Sequence, residues 1–266
     1  MREINFLTWN TQLYEMGNSL NEEQVVKKID MLTFKIVINK VKEFLDSKNE
    51  AVAILQEIPF KCNIDGFNEH ILFSEFFEFF PDDKYVMLYN ISSKSQIKMT
   101  VVLAKKMGLE ELIYRKNNEL NNNMCVSFGI KDLDLSIIGV HPHNANGLLK
   151  WLRVWGFPDI MLGDFNAGDY KKRCEDSMFK VNRDNYRKLI SGYTDICKGQ
   201  MTRRTVFSNG FVYETPIDHV LIKNSSELTK KYQCKNVKIE INEDNVSDHY
   251  PIYFKLLCLD EADKSQ

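Results

Sequence analysis

Short apolar runs that close on a polar residue recur along this chain. Residues 4–9 end at Asn10, 51–55 run into Gln56-Glu57, and 135–140 end at His141. Residues 160–162 run into Gly163-Asp164-Phe165-Asn166, 217–222 carry Asp218 at their start, and Ser247-Asp248-His249 opens the run at 250–259. Continuous apolar runs of this length predict strands buried on both faces. Between the first two runs a different period takes over. Val25, Val26, Ile29, Leu32, Ile36, Val37, Val41, Phe44 and Leu45 recur at helical spacing, which predicts a helix over 22–48 with Asn21 as its N-cap. Further strands are expected at 85–89, 99–104, 124–130, 211–213 and 237–241, with helices at 148–155 and 182–190 and a loop at 192–195. The aromatic-rich stretch 73–80 reads as a core-packing segment, with a membrane-touching or base-stacking patch as the sharper alternative.

Composition narrows the classes without choosing one. At 266 residues, 44% hydrophobic and 27% charged, the chain is of ordinary globular make-up, and no break or repeat divides it. Thirty-five Lys+Arg against 37 Asp+Glu give a net charge of −2, so no global basic field marks a nucleic-acid binder; a local basic groove stays open. Six cysteines (Cys62, Cys125, Cys174, Cys197, Cys234 and Cys258) are scattered with no Cys-x-x-Cys pair, which argues against zinc and suits reduced thiols in a cytoplasmic protein. The first residues lack the apolar stretch of a secretory signal, and no run approaches the roughly 18 residues that span a bilayer, so no stable membrane association is expected.

The chemistry concentrates where the apolar runs stop. Side chains alternate along an extended strand, so Asp164 and Asn166 face the same way while Phe165 turns back into the core. A carboxylate and an amide presented together suit a hard cation or an attacking water, although Gly, Asp and Asn are also ordinary turn residues. Asn10, Glu57, His141 with Asn144, and Asp218 with Asp248-His249 repeat the pattern at other strand ends. Singly, each reads as a solvated or hydrogen-bonding residue. Together they supply the oxygen ligands, the carboxylate-paired imidazole and the neutral donors that metal-assisted hydrolysis of a phosphate ester requires.

With those residues in order, the sequence resembles the endonuclease/exonuclease/phosphatase superfamily. The motifs are Thr8-Trp9-Asn10, Leu55-Gln56-Glu57, Gly139-Val140-His141, Leu162-Gly163-Asp164-Phe165-Asn166, Ile217-Asp218-His219 and Ser247-Asp248-His249-Tyr250-Pro251-Ile252. The resemblance covers nearly the whole chain. It implies an α+β fold, a four-layer α/β/β/α sandwich of two mainly antiparallel sheets flanked by helices, formed by residues 1–259 as one domain with a polar tail at 260–266. It implies Mg²⁺ (or Mn²⁺) held by Glu57 with Asn10 and supported by Asp248. Asp164 and Asn166 would hold the attacking water, His249 oriented by Asp218 would contact the scissile phosphate, His141 would assist the leaving oxygen, and Asn144 would add a phosphate donor. His219 is expected to be structural.

The sequence also departs from the family. Gln12 stands where abasic-site endonucleases usually carry an acid, and Ile58-Pro59-Phe60 lacks the Arg that DNA-cleaving relatives often place after the Glu. The leading expectation is a nuclease with DNA favoured over RNA as substrate, and Lys171-Lys172-Arg173, Arg183, Arg187 and Arg203-Arg204 are its candidate phosphate contacts. The alternatives are a phosphatase or phosphodiesterase on a small or lipid phosphate, and a non-catalytic binding protein on the same fold.

Overall fold

Two strands close to the N-terminus set the plan: β1 (Arg2–Asn10) and β2 (Ala51–Pro59) lie parallel, joined across helix α1 (Met31–Asp46). The structure is a computed structural model; it describes residues 2–13, 31–59, 62–64, 67–69, 71–90, 98–111, 125–169, 177–206, 208–241 and 246–259. A two-stranded hairpin, β3 (Cys62–Ile64) and β4 (Phe67–Glu69), precedes helix α2 (Ile71–Phe79). Strands β5 (Tyr85–Tyr89) and β6 (Lys98–Lys105) return antiparallel beside β2. Strands β7 (Leu109–Glu111), β8 (Cys125–Ile130) and β9 (Ile137–Val140) begin a second sheet, and helix α3 (Ala145–Trp155) crosses from β9 to the parallel strand β10 (Ile160–Asp164). Then come helix α4 (Ser177–Leu189), a 3₁₀ turn at Ile190–Gly192, β11 (Tyr193–Asp195), the hairpin β12 (Arg203–Val206) and β13 (Val212–Thr215), β14 (Asp218–Lys223), helix α5 (Ser226–Lys231), β15 (Tyr232–Ile239) and β16 (Ile252–Cys258).

The first six-stranded sheet has the order β15-β16-β1-β2-β6-β5 and the second β11-β14-β10-β9-β8-β7. Each holds one parallel pair at its centre and is otherwise antiparallel, as the resemblance implies. The alternation of side chains explains the unbroken apolar runs. Ile4, Phe6, Val52, Ile54, Val102, Ile160 and Leu162 fill the layer between the sheets, while Leu7, Trp9, Ala53, Leu55, Val101 and Leu103 pack outward under α1 and α2. Met161, Ile138 and Val140 pack outward beneath α3 with Leu148, Leu149 and Leu152. Phe6 stacks on Phe254 with ring centres 4.8 Å apart. Gly139 marks the closest approach of the sheets: a Cβ there would lie 2.5 Å from Ile54 Cγ2.

The aromatic stretch is a core helix. Phe76 and Phe80 are buried, and Phe80 meets Phe76 at 5.1 Å and Tyr85 edge-on at 5.3 Å. The expected strands all form, but β15 begins five residues before the expected 237, because a sheet-edge strand that exposes one face carries too few apolar residues to show. Residues 193–195, expected as loop, form β11 at the edge of the second sheet; three residues are too few to carry a period. The N-terminal part of the expected first helix, 22–30, and the tail from 260 lie outside the described residues, as does the Lys171-Lys172-Arg173 cluster.

Candidate active site

Both parallel pairs end at the same edge of the sandwich. The register sets Asn10 beside Gln56 in the first pair and Gly163 beside Val140 in the second, so Asn10, Glu57, His141 and Asp164 leave their strands together. β14, antiparallel to β10, places Asp218 directly against Asp164. The Ser247-Asp248-His249 segment is stitched to the first strand: Ser247 Oγ donates to Asn10 O at 2.8 Å, His249 N donates to Ser247 Oγ at 3.0 Å, and Trp9 Nε1 donates to His249 O at 3.1 Å. The Ser of one motif thus fixes the Asn of another.

Glu57 reaches the site through a local irregularity. The pairing of β2 with β6 slips between Leu55 and Ile58, and Glu57 adopts a left-handed φ of 59° that re-aims its side chain. Its Oε1 accepts from Lys98 Nζ at 2.6 Å and lies 3.3 Å from His141 Nε2. Lys98 stands opposite Pro59 on the neighbouring strand. It therefore brings a cation beside the Glu from β6, where the sequence shows none following Glu57 on β2. No signal in the sequence alone marks it, because only the strand pairing brings it there.

Asp164 is 2% exposed and fully engaged. Its Oδ2 accepts from Asn10 Nδ2 at 3.0 Å and lies 3.6 Å from His141 Nε2 and 3.8 Å from His249 Nε2. Its Oδ1 accepts from Asn166 N at 2.7 Å. Burial works against its charge, but His249, then His141 and the two hydrogen bonds, outweigh it and hold the carboxyl below its ordinary range. Asn166 sits in the left-handed region at φ 48° and donates its side-chain amide to Pro142 O at 3.0 Å.

Asp218 and His249 form the buried pair. His249 Nδ1 lies 3.0 and 2.9 Å from the two oxygens of Asp218, whose own backbone N–H donates to Thr202 Oγ1 at 2.9 Å. Burial disfavours a charged ring, yet the charge and hydrogen bonds of Asp218, followed by Asp164 and Asp248, raise His249 to about 9. His249 is then an imidazolium at neutral pH, with Nε2 lying 3.4 Å from Asp248 Oδ1 and 3.8 Å from Asp164 Oδ2. His141 goes the other way: burial, against the pull of Asp164 and Glu57, lowers it, so it is the neutral imidazole of the two.

Asp248 meets Arg203 Nε at 2.7 Å and Thr205 Oγ1 at 3.3 Å through Oδ2. Its backbone N–H donates to Gln12 Oε1 at 3.0 Å, and Gln12 N donates to Asn10 Oδ1 at 3.1 Å. Gln12, in the position where an acid stands in some relatives, thus aligns Asp248 with Asn10. Asp248 Oδ1 is buried with no hydrogen-bond partner among the described residues and lies 3.4 Å from His249 Nε2. A buried carboxylate oxygen in that condition fits a cation. Asp164, Asp218 and His249 also bring one ligand atom each within 4.8 Å of one another. Asp218 holds the Nδ1 side of His249, so Nε2 is the ring atom such a group would offer. The oxygens of Glu57, Asn10 and Asp248 are of the type a hard divalent ion takes.

Of the residues expected at the site, Asn10, Glu57, His141, Asp164, Asp218, Asp248 and His249 are joined by contacts below 4 Å, and Asn166 is tied to Asp164. Asn144 is the N-cap of α3, its side-chain oxygen accepting from Gly147 N at 2.9 Å. Arg187 pairs with Asp169 at the surface rather than facing the cluster.

No family model matches the sequence, and no curated protein matches it at a significant level. Solved structures do match. The chain is similar to the endonuclease domain of TRAS1, a telomere-specific non-LTR retrotransposon, at 14% identity and a TM-score of 0.55, over 97% of this chain and all of that one. It is similar to an endonuclease/exonuclease/phosphatase family protein from Leptotrichia buccalis at 15% identity and 0.53, over 97% and 100%. It is also similar to the 3′ phosphatase NExo from Neisseria bound to product DNA hairpin, at 16% and 0.54, over 94% and 98%. The protein therefore has the endonuclease/exonuclease/phosphatase fold, and the sequence motifs fall where that fold brings its strand ends together.

Proposed function

We propose that this protein is a divalent-metal-dependent phosphodiester hydrolase, a nuclease with DNA as its favoured substrate. One observation carries the reading: a buried Asp164 lies between two histidines, 3.6 Å from His141 Nε2 and 3.8 Å from His249 Nε2, and His249 is paired through Nδ1 with a second buried carboxylate, Asp218, at 2.9 Å. Asp164 is an acceptor for the proton of an attacking water, with the Asn166 and Asn10 hydrogen bonds fixing its orientation. The His249 imidazolium donates to a phosphoryl oxygen as negative charge grows there, and Asp218 keeps that charge on the ring. His141, neutral, is placed to assist at the leaving oxygen. Glu57 and Asn10, with Asp248, would hold Mg²⁺ or Mn²⁺, which when bound supplies charge neutralisation for in-line displacement at phosphorus.

The NExo neighbour, described as bound to a product DNA hairpin, supports nucleic acid as substrate. Among the described residues no helix is long and apolar enough to cross a membrane. The phosphatase reading has its own support: Arg203, Lys98 and Arg187 are each paired with a carboxylate, which leaves less positive charge for a long phosphate backbone. The deciding experiment incubates the protein and its Glu57→Ala variant with plasmid, single-stranded DNA and RNA in Mg²⁺, Mn²⁺ or EDTA. Metal-dependent cutting lost in the variant establishes the nuclease. No cutting of any strand, with phosphate released from inositol phosphates, nucleotides or phospholipids, establishes the alternative.

A further inference from the structure

The residue after Asp218 turns its back on the site and enters a second buried polar cluster that hydrolysis does not use. His219 is 1% exposed. Its ring stacks on Tyr186 of α4 at 4.4 Å between centres and meets the edge of Phe165 at 5.5 Å. Its Nε2 lies 2.8 Å from Ala167 O; a carbonyl only accepts, so Nε2 donates in that contact. Its Nδ1 lies 2.9 Å from Asp195 Oδ2 and 3.2 Å from the Tyr186 hydroxyl. Tyr186 donates to Asp195 Oδ2 at 2.8 Å, and Asp195 Oδ1 accepts from Cys197 N at 2.9 Å.

The object of this bracing is the loop that carries Asp164 and Asn166. Phe165 N donates to Ile217 O at 2.9 Å, and Gly168 lies so close to Pro216 that a Cβ there would sit 1.7 Å from its carbonyl oxygen. Between these two fixed points Asn166 is held at φ 48°, where its N–H meets Asp164 Oδ1. The next carbonyl, Ala167 O, is the one His219 grips. Loss of that grip would remove the anchor on the Ala167 carbonyl between those two points, and Asn166, held at a disfavoured φ, would shift its N–H off Asp164. We propose that His219, braced by Asp195 and Tyr186, is a positioning residue that sets the Asn166 N–H against Asp164. The inference deepens the hydrolase reading and rests on it for its kinetic consequence, though not for its structural one.

The test uses three variants of the full chain. His219→Phe keeps an aromatic ring but loses all three polar contacts. His219→Gln retains an N–H that reaches the Ala167 carbonyl. Tyr186→Phe removes only the hydroxyl. With whichever phosphate ester the wild type cleaves, His219→Phe is expected to lower kcat by about 30-fold with KM within about twofold, because a small misplacement of a reacting group is felt in turnover. His219→Gln is expected to recover most of that loss, and Tyr186→Phe to lower kcat by about threefold. Amide NMR supplies the reading that needs no substrate: the Asn166 resonance moves in His219→Phe and Tyr186→Phe and returns toward wild type in His219→Gln. A folded His219→Phe with unchanged kcat and an unmoved Asn166 amide overturns the proposal, as does a Gln variant as slow as the Phe variant. If His219→Phe fails to fold, an unmoved Asn166 amide in Tyr186→Phe overturns it instead. If the wild type cleaves no phosphate ester, the hydrolase reading fails by itself and the NMR comparison still decides the positioning role.

Discussion

The two sheets are built around the same device and put it to different uses. β1–α1–β2 and β9–α3–β10 are both crossover units whose parallel strands end at the site, the first delivering Asn10 and Glu57, the second His141 and Asp164. The second unit keeps regular register to its last residue, and Asp164 is buried among donors the protein itself supplies. In the first unit the pair is equally regular to Asn10, but β2 slips against its other neighbour, β6, between Leu55 and Ile58, and Glu57, 12% exposed, leaves the strand through a left-handed φ to meet the ammonium of Lys98. On the reading proposed above, the buried end would handle a proton and the other would hold the cation.

That difference predicts unequal failures. Asp164→Asn is expected to lower kcat by about 10³-fold or more, with no recovery at any Mg²⁺ or Mn²⁺ concentration, because the lost function is internal to the buried cluster. Glu57→Gln is expected to lower activity by about 10²-fold at limiting metal and to regain part of it as metal is raised, with weaker Mn²⁺ binding by calorimetry. Metal rescue of Asp164→Asn, or none for Glu57→Gln, would break the comparison.

The glycines of the second unit sharpen it through stability. Gly163 has a φ of +134°, and a Cβ there would lie 2.2 Å from Val140 O, a backbone atom that cannot move aside. Gly163→Ala is therefore expected to cost at least about 3 kcal/mol in urea unfolding. Gly139→Ala meets Ile54 Cγ2, the branch methyl of a buried side chain rather than a backbone atom, and is expected to cost about 1–3 kcal/mol, less than Gly163→Ala. Equal losses at the two positions would show that the β10 terminus is less rigid than its geometry implies.

Much of this arrangement is legible in the sequence because the central strands are buried on both faces, and unbroken apolar runs ending in Asn10, Glu57, His141 and Asp164 betray them. The edges are not legible. β12, with its burial alternating from residue to residue, and the three-residue β11 carry no apolar run, so the sources of Arg203 and Asp195 go unseen. Lys98 and Tyr186 reach their partners across 41 and 9 positions of sequence, through strand pairing and helix packing that no local pattern records. His219 reads as structural in the sequence; what it touches needs the fold.

The charge on His249 joins the two sheets, the ring lying just before β16 of the first and its partner Asp218 on β14 of the second, and gives the comparison a pH signature. His249 is held charged up to about pH 9 in the folded protein against an ordinary 6.5, so its stabilising share is complete below 6.5 and is lost as pH rises through about 9. Stability measured by urea unfolding should fall by up to about 3 kcal/mol between about pH 6 and about pH 10 beyond any fall in Asp218→Asn, which removes the partner charge. Parallel pH curves for wild type and variant would show that the proton is not held by Asp218.

The smallest expected effect separates a scaffold role from a site role at Asn144. Its side-chain oxygen caps α3 through Gly147 N, and α3 is the crossover that sets β10 beside β9. Loss of an N-cap costs about 1 kcal/mol, so Asn144→Ala should lower unfolding free energy by that amount, and Asn144→Asp, which keeps the acceptor, should restore it. A phosphate donor behaves differently: Asn144→Asp replaces an amide with a negative charge and would raise KM even as stability returns. Recovery of stability with KM unchanged would assign Asn144 to the helix alone. Recovery of stability with a raised KM would give its amide a second task beside the phosphate.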